Sequence, residues 1–92
     1  MNPAIAIYTT TSCGYCLLAK GLLSKRGIPF QEIDVTSNPS IRQWLVDASG
    51  GRRTVPQIFI HGRSIGGYQE LAALARSGEL DRLLAERPTT VT

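Results

Sequence analysis

The stretch Ser12-Cys13-Gly14-Tyr15-Cys16 decides the fold of this chain. It holds both cysteines of the sequence, with two residues between them. The apolar run before it, residues 4–8, predicts a strand, and the run after it, residues 17–23, predicts a helix. Two thiols at the turn between a strand and a helix are placed to form and break a disulfide bond.

Length and composition indicate one ordinary globular domain. The chain has 92 residues, which is enough for a single hydrophobic core and too few for two. Apolar residues make up 42% of it and charged residues 18%, so a disordered chain is excluded. We expect one domain over residues 1–92, with an ordered core from about 4 to 86 and a frayed tail over 87–92.

The sequence predicts a cytoplasmic protein without a membrane partner. No apolar run approaches the ~20 residues that a membrane span needs. The start, Met1-Asn2-Pro3, lacks the basic and apolar regions of a signal peptide. In a reducing compartment, a static structural disulfide between Cys13 and Cys16 is not expected.

The charge pattern does not indicate a nucleic-acid partner. The formal net charge is +3, and the ten basic residues are spread along the chain rather than gathered in a stripe. The adjacent pair Arg52-Arg53 has two interpretations, a solvated loop or a contact for a small anionic ligand.

The hydrophobic periodicity predicts the element order β-α-β-α-β-β-α, followed by a final helical turn or helix. The predicted strands are residues 4–8, 29–35, 57–60 and 64–65, and the predicted helices begin near Cys13, Pro39 and Tyr68. A right-handed crossover makes the first two strands parallel, and the last two form a hairpin around His61-Gly62-Arg63. The predicted fold is α/β, with a small mixed sheet of four strands and helices on both of its faces.

Caps and apolar stripes place the first two helices. Thr11 or Ser12 is the predicted cap of the first helix, which runs from about Cys13 to Arg26. Asn38 caps the second, with Pro39 in its first turn. The predicted inward residues are Leu18, Ala19, Leu22 and Leu23 in the first helix, and Ile41, Trp44, Leu45 and Ala48 in the second. Trp44 is interpreted as a packing residue rather than a cofactor platform.

The helix start gives the two cysteines different roles. Unpaired N–H groups and the helix dipole at the N-terminus should stabilise a thiolate on Cys13. A thiolate is the form that attacks a disulfide. Cys16 lies one turn inside the helix and is more shielded. We therefore expect Cys13 to be the nucleophile and Cys16 to be the resolving thiol.

Metal binding is the main alternative for a cysteine pair at this spacing. A zinc site within the chain would need two further ligands, and only His61 is on offer. A metal or cluster shared between two chains is excluded less strongly than a zinc site within one chain. His61 by itself is expected to be a solvated turn residue.

Two further segments have both a chemical and a purely structural interpretation. A cis bond before Pro56 would turn the backbone of Val55 outward, where it could pair with an extended peptide; a trans proline would simply open an edge strand. Gly66-Gly67 could bring the backbone and a helix start close to a ligand carboxylate. Alternatively, it is a plain strand-to-helix turn.

Taken together, three segments resemble the glutaredoxin family, over residues 5 to about 84. They are Cys13-Gly14-Tyr15-Cys16, Thr54-Val55-Pro56-Gln57-Ile58-Phe59-Ile60 and Ile65-Gly66-Gly67-Tyr68-Gln69-Glu70-Leu71. The resemblance implies a thioredoxin-like fold and a cis proline at Pro56. It also implies glutathione as the reductant and as part of the substrate, with glutathionylated or disulfide-bonded proteins as partners.

The resemblance also assigns roles to residues. It implies that Cys13 attacks the glutathionylated sulfur, that the Val55 backbone pairs with the cysteinyl part of glutathione, and that Arg42 and Arg52 are candidates for its glycine carboxylate. The start of the last helix would hold the γ-glutamyl end. The implied glutathione site comprises Tyr15, Arg42, Arg52, Thr54, Val55, Pro56, Gly67, Tyr68, Gln69 and Glu70.

Two departures from the family pattern affect the expected function. Gly14 stands where dithiol members commonly have proline. In this respect the chain resembles members that hold an iron–sulfur cluster between two subunits. Thr10 stands where many members have lysine, so one positive charge near Cys13 is missing. The alternative function is therefore a dimer that carries a 2Fe-2S cluster ligated by Cys13 and glutathione. Otherwise we expect a metal-free monomer.

Overall fold

The structure, a computed structural model, describes residues 3–86, which form four strands and four helices. The elements are β1 (Ile5–Thr9), α1 (Gly14–Lys25), β2 (Phe30–Asp34), α2 (Pro39–Ala48), β3 (Gln57–Ile60), β4 (Arg63–Gly66), α3 (Tyr68–Ser77) and α4 (Glu79–Ala85). The predicted order is confirmed, and the final helical segment is a separate helix that begins after Gly78. The predicted frayed tail, 87–92, lies outside the described residues.

The four strands form one mixed sheet in the order β2-β1-β3-β4. β1 runs parallel to β2, with Ile5 opposite Phe30, as the predicted crossover requires. β1 and β3 are antiparallel, with Ile7 opposite Ile58. β3 and β4 form the predicted antiparallel hairpin. The first strand is thus central, and its C-terminal end leads directly to the two cysteines.

The main core lies between the sheet and helices α1, α3 and α4. Alternate side chains of β1 and β3 meet apolar residues from the three helices, and the buried members are Ile5, Ile7, Ala19, Leu23, Ile58, Ile60, Leu71, Ala75, Leu80 and Leu83. Burying each of the large aliphatic side chains contributes about 1.5–3 kcal/mol. This face of the sheet therefore fixes α1, whose first turn holds the cysteines.

An aromatic cluster covers the opposite face of the sheet. The ring centroid of Tyr8 lies 5.5 Å from those of both Trp44 and Phe59, and Trp44 stacks on Phe59 at 5.9 Å. The packing role predicted for Trp44 is confirmed, although 49% of this residue is exposed. Leu45 is the buried residue of α2, whereas Ala48 is exposed, so the predicted four-residue stripe is only partly correct.

The predicted start and inward face of α1 need two corrections. The N-cap is Cys13 rather than Thr11 or Ser12, because the Cys13 side chain accepts from the N–H three residues on. Leu18 was expected to face inward but is 52% exposed. The buried stripe runs through Cys16, Ala19 and Leu23, at i, i+3 and i+7, so Leu18 lies about 100° around the helix from it.

The β3–β4 turn is tighter than predicted. His61 and Gly62 have φ values of 51° and 81°, as a two-residue hairpin turn demands, and the strand resumes at Arg63. The His61 N–H donates to the Ala4 carbonyl across 2.9 Å. His61 lies in the turn, as predicted, and is only partly solvated, because its Nε2 is buried and has no hydrogen-bond partner within residues 3–86.

Candidate active site

The Cys13 sulfur lies at the start of α1, where it accepts a hydrogen bond from the backbone of the helix. Cys13 has extended backbone angles (φ −111°, ψ 110°) and caps the helix. Its Sγ accepts a hydrogen bond from the Cys16 N–H across 3.1 Å. Hydrogen bonds and the helix dipole both favour negative charge at this position. Cys13 is partly exposed and Cys16 is buried, and both are free thiols.

The surroundings of Cys16 favour its protonated thiol form. Only 2% of its surface is exposed. Burial, followed by the hydrogen bond with the Cys13 thiol, raises the pKa of Cys16 to about 12, against smaller opposing effects of the Thr10 backbone and Lys20. The accessible sulfur of the pair is therefore that of Cys13.

The Val55–Pro56 segment lies directly against Cys13. The bond between Val55 and Pro56 is cis, which confirms what the family resemblance implied. The Cys13 thiol donates to the Val55 carbonyl oxygen across 3.5 Å. Within residues 3–86, the Val55 N–H donates no hydrogen bond to the protein. The Val55 N–H is thus free to pair with a ligand beside the Cys13 sulfur.

The side chain of Gln57 holds this segment in place by a hydrogen bond to Thr54, a role that the sequence did not lead us to predict. Gln57 is fully buried, and its Nε2 donates to the Thr54 carbonyl oxygen across 2.9 Å. Its Oε1 is buried without a partner within the described chain. The signal available in the sequence was a polar amide just before the apolar residues Ile58-Phe59-Ile60. A polar side chain that is buried in a strand needs a hydrogen-bond partner.

A shallow groove of about 280 Å³ opens beside the cysteine pair. Nine residues from α1, the loop before β3 and the start of α3 line it: Tyr15, Arg52, Thr54, Val55, Pro56, Gly67, Tyr68, Gln69 and Glu70. All nine belong to the predicted glutathione site. The rings of Tyr15 and Tyr68 face each other with centroids 6.2 Å apart, and Tyr15 is 57% exposed.

Glu70 organises the far end of the groove. Its Oε1 accepts from the Gly67 N–H across 2.8 Å and lies 3.5 Å from Arg52 Nη2. The Gly67 N–H, with a smaller contribution from Arg52, lowers the pKa of Glu70. The groove therefore ends in an ionised carboxylate beside the first N–H groups of α3, which have no acceptor within the helix.

Gly66 makes this arrangement sterically possible, and it was absent from the predicted site. Its φ is +109°, and a Cβ there would lie 2.5 Å from Arg52 Nη1 and 2.8 Å from Glu70 Cγ. A side chain at this position would therefore collide with the Arg52–Glu70 pair in a backbone conformation that favours glycine.

Arg42 is the one predicted glutathione-site residue outside the groove. It lines a neighbouring pocket between α2 and the loop before β3, together with Arg52 and Arg53. Arg52, Thr54 and Val55 line both spaces, so the pocket continues the groove toward α2.

No metal centre or membrane span stands out in the described part of the chain. Among residues 3–86, no three histidine, cysteine, aspartate or glutamate side chains are grouped as a metal site would require. None of the helices in this range is both long and apolar enough to cross a membrane.

The comparison with known proteins identifies the family. The family model described as glutaredoxin matches residues 5–65. The chain belongs to the glutaredoxin family. Glutaredoxin 3 of Escherichia coli K12 is 48% identical over 80 residues, which cover 87% of this chain and 95% of that protein.

Solved glutaredoxin structures share the fold. A buckwheat glutaredoxin–glutathione complex superposes with a TM-score of 0.82 at 32% identity, over 89% of this chain and 76% of that one. The solution structure of glutaredoxin from Brucella melitensis gives a TM-score of 0.79 at 40% identity, over 99% and 96%. The predicted thioredoxin-like fold is confirmed. Family and fold together support thiol–disulfide oxidoreductase activity for this glutaredoxin.

Proposed function

We propose that this glutaredoxin uses glutathione to reduce glutathione mixed disulfides and protein disulfides. The observation that carries the proposal is the position of the Cys13 sulfur. It is partly exposed, and it lies 3.5 Å from the Val55 carbonyl at the wall of a groove, with Cys16 buried behind it. The likeness to a glutaredoxin that was solved with glutathione bound supports the choice of ligand.

Glutathione fits the groove in an extended conformation. Its cysteinyl unit would pair with the N–H and carbonyl of Val55, as an added strand does, while Thr54 and Pro56 shape the wall. This pairing places the glutathione sulfur next to that of Cys13. Tyr15, which also lines the groove, flanks the reacting sulfurs.

Opposite charges recognise the two ends of glutathione. The α-carboxylate of the γ-glutamyl end accepts from the backbone N–H groups of Tyr68 and Gln69, next to Gly67. The ammonium group of that end faces the Glu70 carboxylate. At the other end, Arg42 and Arg52 attract the glycine carboxylate.

Reduction of a mixed disulfide proceeds in two exchanges. The Cys13 thiolate attacks the glutathione sulfur, the bond between glutathione and the substrate protein breaks, and the protein departs as a thiolate. A second glutathione thiolate then attacks the glutathione sulfur bound to Cys13. Glutathione disulfide leaves, and the Cys13 thiolate is restored with the Cys16 N–H as its hydrogen-bond donor.

Protein disulfides follow a route that needs both cysteines. Cys13 attacks one sulfur of the substrate disulfide and releases the other as a thiolate. Cys16 then attacks Cys13 Sγ, the mixed disulfide breaks, and the proton of Cys16 passes to the departing thiolate. Two glutathione thiols reduce the resulting Cys13–Cys16 disulfide, which yields one glutathione disulfide.

A second candidate function is an iron–sulfur carrier. A Cβ built at Gly14 would meet nothing within 4 Å, so the turn between the cysteines is open. One chain could offer the partly exposed Cys13 thiolate as a ligand. The other ligands would be the Cys13 thiolate of a second copy and two glutathione thiols. A protein that stays colourless after anaerobic incubation with iron, sulfide and glutathione would exclude this function.

The test of the main proposal is turnover of a glutathionylated peptide by the metal-free protein, with glutathione as the sole reductant. We expect catalysis well above the rate of glutathione alone, saturating with the peptide. A rate no greater than the uncatalysed exchange would overturn the proposal.

A further inference from the structure

A pocket rich in arginine continues the groove toward α2. Its volume is about 300 Å³, and it is lined by Pro39, Arg42, Gln43, Leu45, Val46, Arg52, Arg53, Thr54 and Val55. We refer to it as the arginine pocket. Three of its nine lining residues are arginines and none is acidic.

The positive charge of the arginine pocket is largely uncompensated. Arg52 reaches the Glu70 carboxylate at 3.5 Å. Neither Arg42 nor Arg53 forms an ion pair with any group in residues 3–86. All three arginines are exposed. Like charges held together without counter-charges attract an anion from solution.

Glutathione by itself does not account for this much positive charge. It would bring a single carboxylate, that of its glycine, to this side of the groove. A disulfide-bonded polypeptide in the same groove would bring none, because a peptide bond replaces the terminal carboxylate. Only an acidic side chain of the polypeptide could then meet the arginines. Since Val55 lines both spaces, a strand paired with its backbone passes directly beside the arginine pocket.

We propose that the arginine pocket selects disulfide-bonded polypeptides that carry an acidic side chain next to the reacting cysteine. The inference rests on the proposed function, in which Cys13 exchanges with protein disulfides and Val55 pairs with the bound backbone. Arg53 is the residue that distinguishes the two kinds of substrate, because it lines the arginine pocket but not the groove.

A test without glutathione isolates this selectivity. Three extended peptides that differ only in the residues flanking their cysteine (glutamate, glutamine or lysine) are each activated as the mixed disulfide with thionitrobenzoate. The Cys13 thiolate of a Cys16→Ser variant attacks the peptide sulfur, and thionitrobenzoate departs as a coloured thiolate because it is the better leaving group. Its absorbance gives the second-order rate constant for each peptide.

The matched variants are Arg53→Gln and Arg76→Gln, each added to Cys16→Ser. Both remove one positive charge from an exposed arginine, and Arg76 lies in the last turn of α3, away from the groove. We expect the glutamate peptide to react faster than the glutamine peptide, and Arg53→Gln to reduce that advantage by about two- to five-fold, as for one exposed ion pair. Arg76→Gln should leave it unchanged.

Equal rate constants for the three peptides with the Cys16→Ser protein would overturn the selectivity. So would an equal loss in the Arg53→Gln and Arg76→Gln variants, because the effect would then be one of net charge rather than of the pocket. Failure of the glutathione-dependent function is a separate outcome. It would appear as no turnover of a glutathionylated peptide, while the exchange with activated peptides still reports on the arginine pocket.

Discussion

The backbone N–H of Cys16 donates to the sulfur of Cys13 across 3.1 Å, while the Cys16 thiol itself is buried. One residue thus donates a backbone hydrogen bond to the Cys13 sulfur and holds the second sulfur, whose pKa is raised by burial, behind it. This asymmetry explains how two thiols separated by only two residues can have different reactivity.

Alkylation should distinguish the two cysteines at neutral pH. We expect limiting iodoacetamide to modify Cys13 at least about tenfold faster than Cys16, because only a thiolate reacts and Cys16 is both shielded and protonated. Peptide mass mapping of the reduced protein measures the ratio. In a strong denaturant the difference should vanish, which serves as the control. Comparable labelling of the two sites in the folded protein would contradict the assignment.

The raised pKa of Cys16 should make the reduced protein lose stability in alkaline solution. The fold favours the neutral thiol, and it raises the pKa from 9.0 to about 12. The corresponding stabilisation is therefore complete below about pH 9 and is lost as the pH rises toward 12. We expect the free energy of unfolding to fall more steeply over this range in the wild type than in Cys16→Ala.

Denaturant titrations of both reduced proteins at about pH 8 and about pH 11 measure this difference. The comparison cancels other alkaline titrations, including that of Tyr8, whose pKa is raised by burial. Parallel losses of stability in the two proteins would show that Cys16 does not titrate differently on folding.

Two glycine substitutions should have opposite effects on stability. Gly66→Ala should destabilise the protein by about 1–3 kcal/mol, because alanine would be strained at a φ of +109° and would collide with the Arg52–Glu70 pair. Gly21→Ala should instead stabilise it by about 0.5–1 kcal/mol, since Gly21 lies inside α1 with open space around it.

The free energy of unfolding from denaturant titration tests both substitutions. We also expect Gly66→Ala to raise the KM for a glutathionylated peptide, because the displaced Glu70 carboxylate forms the end of the groove. If Gly66→Ala were as stable as the wild type with an unchanged KM, the close approach at Gly66 would be wrong.

Local signals in the sequence predicted most of the fold. Asn38 accepts from the Ile41 N–H across 3.1 Å, as its predicted capping role requires, and Pro39 begins the helix. Gly78 separates the last two helices in a left-handed conformation. The strand over residues 57–60 has the predicted limits. The start of α2 and the break between α3 and α4 each depend on the backbone preferences of one or two residues, which the sequence displays directly.

Features that depend on tertiary packing were harder to predict. Leu17, Leu18, Leu22 and Leu23 make α1 apolar on several sides, so the periodicity could not say which side meets the sheet. The capping role of Cys13 was missed because cysteine is not a usual cap. The groove joins three segments that are distant in sequence, and only the family resemblance predicted their meeting. That resemblance did not indicate the buried support from Gln57 or the close approach at Gly66.

We propose that Cys13 attacks and Cys16 resolves, with glutathione as the reductant. The most direct measurement compares Cys13→Ser and Cys16→Ser in the turnover of a glutathionylated peptide and of a protein disulfide. We predict that Cys13→Ser abolishes both activities, whereas Cys16→Ser keeps the first and loses the second. Equal loss of the first activity in both variants would contradict the account.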